Sequence, residues 1–159
     1  MGSSPRLRSV SGSPSLERAF PSLRRGEYRI TSPADGRYNC IAFAAGDTTR
    51  YWWPLDPLVG GYHWPLPPGS GRACTLSNFE AAFATLGYEG CESAELELPY
   101  EKVAIYVGAN GVPTHASRQL ASGAWISKLG SNVDITHRTP ENVGGRAYGD
   151  VAIVMRRPR

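Results

Sequence analysis

Cys40 is the residue whose type and position most clearly suggest covalent chemistry. It follows Asn39, a residue type that caps helix N-termini, and it opens an apolar run that ends at Gly46. A cysteine in the first turn of a helix lies at the positive end of the helix dipole, which stabilises a thiolate. The position therefore predicts a nucleophile, with a small buried hydrophobic residue as the alternative.

His115 is the candidate general base for this thiol. It lies in the segment VPTHASRQ, whose alternation places His115, Ser117 and Gln119 on one polar face of a predicted strand. A polar face either meets solvent or lines a site. If residues 120–123 form a hairpin turn, His115 faces Lys128, and a slip of one residue places Ser127 there instead.

A third group must orient the base, and the sequence offers three candidates in no firm order: Ser127, Asp134 and His137. The three histidines of the chain form no H-x-x-x-H pair, and no two cysteines form a C-x-x-C motif. We therefore expect neither a metal nor another cofactor.

The long segment 46–74 is rich in aromatic residues, Pro and Gly, and shows neither helical nor strand periodicity. Its rings could hold an extended peptide or a sugar face, or they could cover the core. The residues predicted to bind substrate are Tyr38, Asn39, Trp52, Trp53, Trp64, Gln119 and Lys128.

The elements that must position these residues follow an α+β order, with helices first and strands after them. Helices are predicted at 38–45, where Cys40 lies in the first turn, and at 75–86, where Thr75 can cap the N-terminus. Strands are predicted to begin near Tyr28 and to occupy 102–107, 112–119, 125–129, 133–137 and 148–156.

Composition limits the function classes. The 159 residues suffice for one domain, and 18 Gly with 13 Pro argue against a helix bundle. We predict a flexible tail at 1–18 and a single domain at 19–159. The net charge of +3 comes from arginines near both ends without interleaved aromatic residues, so no specific nucleic-acid partner is expected. No signal peptide or membrane span is recognised, so a cytoplasmic protein without a membrane partner is expected, although delivery by a specialised secretion system stays open.

In chain order these elements resemble papain-like folds, and most closely the NlpC-type cysteine peptidases. Tyr38-Asn39-Cys40 resembles the start of the family's nucleophile helix, and KVAIYVGANGVPTHAS resembles its strand, turn and strand ending in His-Ala. The resemblance implies a nucleophile helix packed on a small antiparallel sheet. One position departs from the pattern, because Lys102 stands where the family has its general base, and His115 matches the family's second histidine.

The resemblance implies a cysteine hydrolase that cleaves an amide bond in a peptide or protein substrate. His115 would take the proton of Cys40, the thiolate would attack the carbonyl carbon, and the backbone N–H of Cys40 would help to stabilise the oxyanion. Two alternatives stay open. One is a catalytically inactive papain-like binding module, and the other is an acyltransferase or deamidase, as in a bacterial toxin or effector.

Overall fold

The structure, a computed structural model, describes residues 13–54, 62–67, 72–129 and 132–159. The helices in these ranges are α1 (Pro14–Ala19), α2 (Cys40–Ala44) and α3 (Leu76–Ala84), with 3-10 turns at Pro21–Arg25 and Pro140–Val143. The strands are β1 (Tyr28–Ser32), β2 (Glu89–Cys91), β3 (Tyr100–Val107), β4 (Pro113–Gln119), β5 (Trp125–Lys128), β6 (Asp134–His137) and β7 (Asp150–Pro158).

All seven strands form one antiparallel sheet, in the order β1-β6-β5-β4-β3-β7-β2. The α+β class predicted from the sequence is therefore confirmed. Strand β3 lies inside the sheet and pairs with β4 on one side and with β7 on the other, with Tyr106 opposite His115.

The N-terminal caps of both predicted helices form as the sequence predicts. The Asn39 side chain accepts the N–H of Ala42 at the start of α2, and the Thr75 side chain accepts the N–H of Asn78 at the start of α3. All five residues of α2 are buried, so this helix lies within the core rather than on its surface.

Alternation along the strands divides the core into two clusters, one on each face of the sheet. On the first, here called the α2 face, Val103, Ile105 and Ala116 pack with α2 and α3. On the second, here called the α1 face, Ala104 and Tyr106 pack with residues of α1, β5 and β6. Neighbouring residues of a strand therefore have different environments.

The predicted tail is too long at its C-terminal end. Residues 14–18 belong to α1, whose start is capped by Ser13 and whose Leu16 is buried, and residues 1–12 lie outside the described part of the chain. Strand β2 was not predicted, because the short segment EGC is largely exposed and shows no apolar alternation. None of the helices in the described ranges is long and apolar enough to cross a membrane.

Candidate functional site

The Cys40 thiol is buried where α2 meets β4. Its side chain is 8 % exposed, and Sγ donates a long hydrogen bond of 3.9 Å to the carbonyl of Thr114. Burial raises the pKa of the thiol to about 11, and the nearby N–H groups of Ala116, Ile41 and Cys40 itself only partly offset that effect. The thiol is therefore protonated at neutral pH, despite its place at the start of a helix.

A chain of hydrogen bonds joins the two buried histidines through a serine. His115 Nε2 lies 3.1 Å from the hydroxyl of Ser127, which lies 2.7 Å from His137 Nε2. At the far end, His137 Nδ1 lies 2.8 Å from the carbonyl oxygen of Thr139. The His115 ring also stacks on Tyr148, with centroids 4.0 Å apart and planes 6° apart.

The Thr139 carbonyl determines which atom donates in each hydrogen bond of this network. A carbonyl only accepts, so His137 carries its proton on Nδ1 and its Nε2 accepts from the Ser127 hydroxyl. Ser127 in turn accepts from the Nε2–H of His115, which leaves His115 Nδ1 a buried acceptor without a partner in the described part of the chain. Both rings are held neutral, because burial lowers the pKa of His137 to about 4 and that of His115 well below its usual value.

These positions do not support the predicted base. Cys40 packs in the cluster of the α2 face together with Ala116, whereas the His115 ring packs against Tyr106 of the α1 face. Adjacent strand residues point to opposite sides of the sheet, so His115 is not placed to take the Cys40 proton. Of the three candidates for the orienting group, Ser127 and His137 do contact the His115 network, and Asp134 does not.

Asp134 belongs instead to a buried polar cluster on the α2 face. The Tyr38 hydroxyl donates to its Oδ2 at 2.8 Å, and Lys128 Nζ lies 4.0 Å from its Oδ1. Lys128 is fully buried, and its ammonium lies 4.9 Å from the centre of the Tyr38 ring. Burial raises the pKa of Asp134 and raises that of Tyr38 to about 12. Tyr38 and Lys128, both predicted to bind substrate, thus hold each other and Asp134 inside the core.

Lys102, at the position of the family's base histidine, has a different role. Its ammonium donates to the carbonyl of Ser93 and pairs with Glu97 at 3.3 Å. The side chain is 1 % exposed and lies near the beginning of β3, where Val103 pairs with Arg118. Lys102 therefore anchors the segment before β3 rather than facing the thiol.

The tryptophans of segment 46–74 that were predicted to bind substrate are largely structural. Trp52 and Trp64 are buried, and the rings of Trp53 and Trp64 pack on Phe79 of α3. The Asn39 side chain holds the backbone of Trp52, because its Oδ1 accepts the Trp52 backbone N–H and its Nδ2 donates to the Trp52 carbonyl. Residues 55–61 and 68–71 of this predicted loop lie outside the described ranges.

An open groove lies where β1 and β6 meet the β4–β5 turn, and we call it lobe A. Its volume is about 600 Å³. Arg29 and Arg138 are both exposed here, and within the described ranges no carboxylate pairs with either guanidinium. The lining residues are Glu27, Tyr28, Arg29, Leu120, Ser122, Gly123, Ala124, Thr136, His137 and Arg138.

A second, smaller groove of about 290 Å³ adjoins it, and we call it lobe B. The two share Gly123 and Arg138. Lobe B carries two exposed acids, Glu95 and Glu141, and its wall includes the buried Gln119. Its other lining residues are Ala94, Leu96, Trp125, Thr139 and Pro140.

Comparison with known proteins places the chain in a family without assigning an activity. A family model described as a domain of unknown function, DUF7689, matches residues 29–156. The chain belongs to this family. No curated protein and no solved structure matches it. The DUF7689 match extends from β1 into β7, so it includes both buried polar clusters, all of lobe B, and all lining residues of lobe A except Glu27 and Tyr28.

The groove residues of this DUF7689 domain were mostly missed from the sequence. Gln119 was predicted to bind substrate and does line lobe B, but Arg29, Arg138, Glu95 and Glu141 were not singled out. They come from three separate segments, with only Arg138 and Glu141 close in sequence, and form no recognisable motif. The one available signal was the turn sequence after Gln119, which predicts a hairpin and hence an exposed end of the sheet. No group of three or more His, Cys, Asp or Glu side chains suited to a metal occurs in the described ranges.

Proposed function

We propose that this domain is a non-catalytic peptide-binding module on a papain-like scaffold, and that its ligand occupies lobe A. The observation that carries the proposal is a groove of about 600 Å³ with two exposed guanidinium groups that no carboxylate engages in the described ranges. That volume lies in the range of known ligand pockets. The papain-like part of the proposal rests on α2, which carries Cys40 at its N-terminus and packs on an antiparallel sheet.

The environment of Cys40 favours binding over thiol catalysis. A nucleophilic cysteine needs a lowered pKa or an adjacent base. Here burial raises the pKa of the thiol to about 11, and the thiol donates to the backbone carbonyl of Thr114 rather than to a base. The imidazole of His115 is engaged with Ser127 on the other face of the sheet.

The charge of lobe A favours an acidic ligand. Arg29 and Arg138 outnumber the single carboxylate, that of Glu27. Guanidinium groups bind carboxylates through paired, directional hydrogen bonds. The lobe is open and continues into lobe B, a shape that suits a linear peptide with an Asp or Glu side chain better than a compact metabolite.

Thiol labelling tests the absence of catalysis. At pH 7.5 the thiolate fraction of a thiol whose pKa is about 11 is roughly one hundredth of that of a thiol with the ordinary pKa of 9.0. Burial raises the pKa of Cys74 as well, but Cys74 and Cys91 are both less buried than Cys40. Iodoacetamide should therefore label these two at least tenfold faster than Cys40 in the native protein, as read by peptide mass spectrometry. Preferential labelling of Cys40 would instead support the cysteine hydrolase.

Peptide binding tests the lobe A assignment. A dye-labelled acidic peptide should bind the full chain in a fluorescence anisotropy titration, and Arg29→Gln and Arg138→Gln should each weaken binding about two- to fivefold. Arg146→Gln is the matched control, because Arg146 is exposed and lines neither lobe. Equal effects of all three substitutions would show only nonspecific attraction to a basic protein.

A further inference from the structure

The wall of lobe B includes a buried acceptor that no donor of the described ranges engages. Gln119 is 1 % exposed, and its Nε2 donates to the carbonyl oxygens of Ala94 at 3.1 Å and Gly123 at 3.4 Å. Because both partners only accept, the orientation of the amide is fixed and Oε1 faces away from them. This Oε1 has no hydrogen-bond partner in the described part of the chain. A buried acceptor without a donor is costly, which points to a donor supplied from outside.

The charges of lobe B indicate the kind of donor. Glu95 and Glu141 are both exposed, and within the described ranges neither side chain is engaged by a cation. Their two carboxylates outnumber the single guanidinium of Arg138, which lies on the boundary with lobe A. Lobe B therefore favours a cation, whereas lobe A favours an anion.

From these observations we propose that lobe B binds the guanidinium of an arginine in the ligand, with Gln119 Oε1, Glu95 and Glu141 as its acceptors. A guanidinium carries five N–H donors in a planar fork and can meet three acceptors at once. Because Oε1 is buried, part of the lobe B wall must shift for the guanidinium to reach it. Leu96 lines the lobe, is 41 % exposed and belongs to a segment outside the helices and strands, so its side chain can shift.

This inference deepens the proposed function and rests on it. The ligand becomes a linear peptide with an acidic side chain for lobe A and an arginine for lobe B. Arg138 lies between the two sites, so the ligand carboxylate bound on the lobe A side offsets the repulsion between Arg138 and the incoming guanidinium. A peptide with both charges should therefore bind more tightly than one with either charge alone.

The test uses two dye-labelled peptides that differ at one position. Both carry an aspartate followed, after one to three glycines, by either arginine or its neutral isostere citrulline. The full chain should bind the arginine peptide about three- to tenfold more tightly. A double variant, Glu95→Gln with Glu141→Gln, should lose this preference and keep its affinity for the citrulline peptide. Glu92→Gln is the control, because Glu92 is exposed and does not line lobe B.

A direct readout is available because Gln119 is the only glutamine in the sequence. Labelling with [¹⁵N]glutamine gives one side-chain amide signal, which should shift with the arginine peptide and stay in place with the citrulline peptide. Equal affinity for the two peptides would overturn the inference while the lobe A proposal survived. If neither peptide bound, both proposals would fail. Binding of the arginine peptide without any shift of the Gln119 signal would remove Gln119 from the site.

Discussion

Acid should destabilise this domain through its two buried histidines. Burial lowers the pKa of His137 from 6.5 to about 4, and burial followed by the proximity of His137 lowers that of His115 well below 6.5. In the unfolded chain both rings return to a pKa near 6.5, so below that pH the unfolded state binds more protons than the native state. The stabilisation is therefore complete above pH 6.5 and is lost as the pH falls toward 4.

The size of the effect follows from the same values. One proton of difference changes the free energy of unfolding by about 1.4 kcal/mol per pH unit. His137 alone accounts for about 3 kcal/mol between pH 6.5 and 4. The two rings together should give a slope of about 2.5 kcal/mol per pH unit near pH 5. Asp134 opposes this trend, because burial raises its pKa and its native carboxylate takes up a proton first.

The assay is urea unfolding followed by tryptophan fluorescence at pH values from 7.5 to 4.5. His137→Asn keeps an N–H for the Thr139 carbonyl and cannot be protonated. The slope of its unfolding free energy against pH should therefore be lower by about 1.3 kcal/mol per pH unit, however much the substitution costs in stability at neutral pH. His63→Asn is the control, because His63 is less buried and its pKa is lowered less by its surroundings. The reasoning is refuted if wild type and His137→Asn lose stability in parallel. It is equally refuted if the His137 ring titrates near pH 6.5 in the folded protein.

Two further predictions concern stability. Lys128→Met should cost about 3–5 kcal/mol in urea unfolding at pH 7, because it leaves the buried Asp134 carboxylate without its cation, and the cost should shrink at low pH where that carboxyl is protonated. A small loss independent of pH would contradict this. Gly149→Ala should prevent folding or lower the free energy of unfolding by more than about 3 kcal/mol in thermal unfolding, because φ is +79° and a Cβ would overlap the Val107 carbonyl. Gly46→Ala, at φ +89° with open space around it, should cost only about 1–2 kcal/mol, and equal losses would exclude the overlap as the cause.

The parts of the fold that depend on local chemistry were predictable. The Asn39 cap, the Thr75 cap and the strands around Ile105 and Val154 follow from side-chain type and short-range pattern. The face on which each element packs was not predictable in this way. The sequence gives the alternation of β4, but only the docking of α2 decides that the thiol meets Ala116 and not His115.

The register of the β4–β5 hairpin shows the same limit. The sequence predicts one of two registers, with His115 opposite Lys128 or Ser127. The structure pairs Gln119 with Trp125, which continues to a third register, one residue away in the other direction. The turn is one residue longer than expected, because Gly123 adopts φ +93° and the N–H of Leu120 donates to the carbonyl of Ala124. Such a glycine supports a three-residue loop with a bulge, which the composition of the turn does not distinguish from a two-residue loop.

The two buried polar clusters explain why one register is retained. Ser127 and Lys128 are neighbours in β5, yet Ser127 joins the histidine chain on the α1 face and Lys128 meets Asp134 on the α2 face. A slip of one residue would exchange them, leaving a buried ammonium beside His137 and a buried carboxylate without a cation. Each misplaced charge costs several kcal/mol, so the polar residues exclude the neighbouring registers more strongly than the apolar ones do.

That register also shapes the grooves. Arg138 directly follows His137, the last residue of β6, and Gln119 ends β4 opposite Trp125 of β5. Two of the residues assigned to ligand binding thus lie at the ends of strands whose alignment the buried clusters fix. On this reasoning His115, which lines neither lobe, acts on binding only through the position of the strand ends. A substitution that keeps the register, such as His115→Asn, should therefore leave peptide affinity unchanged at neutral pH even where it reduces stability.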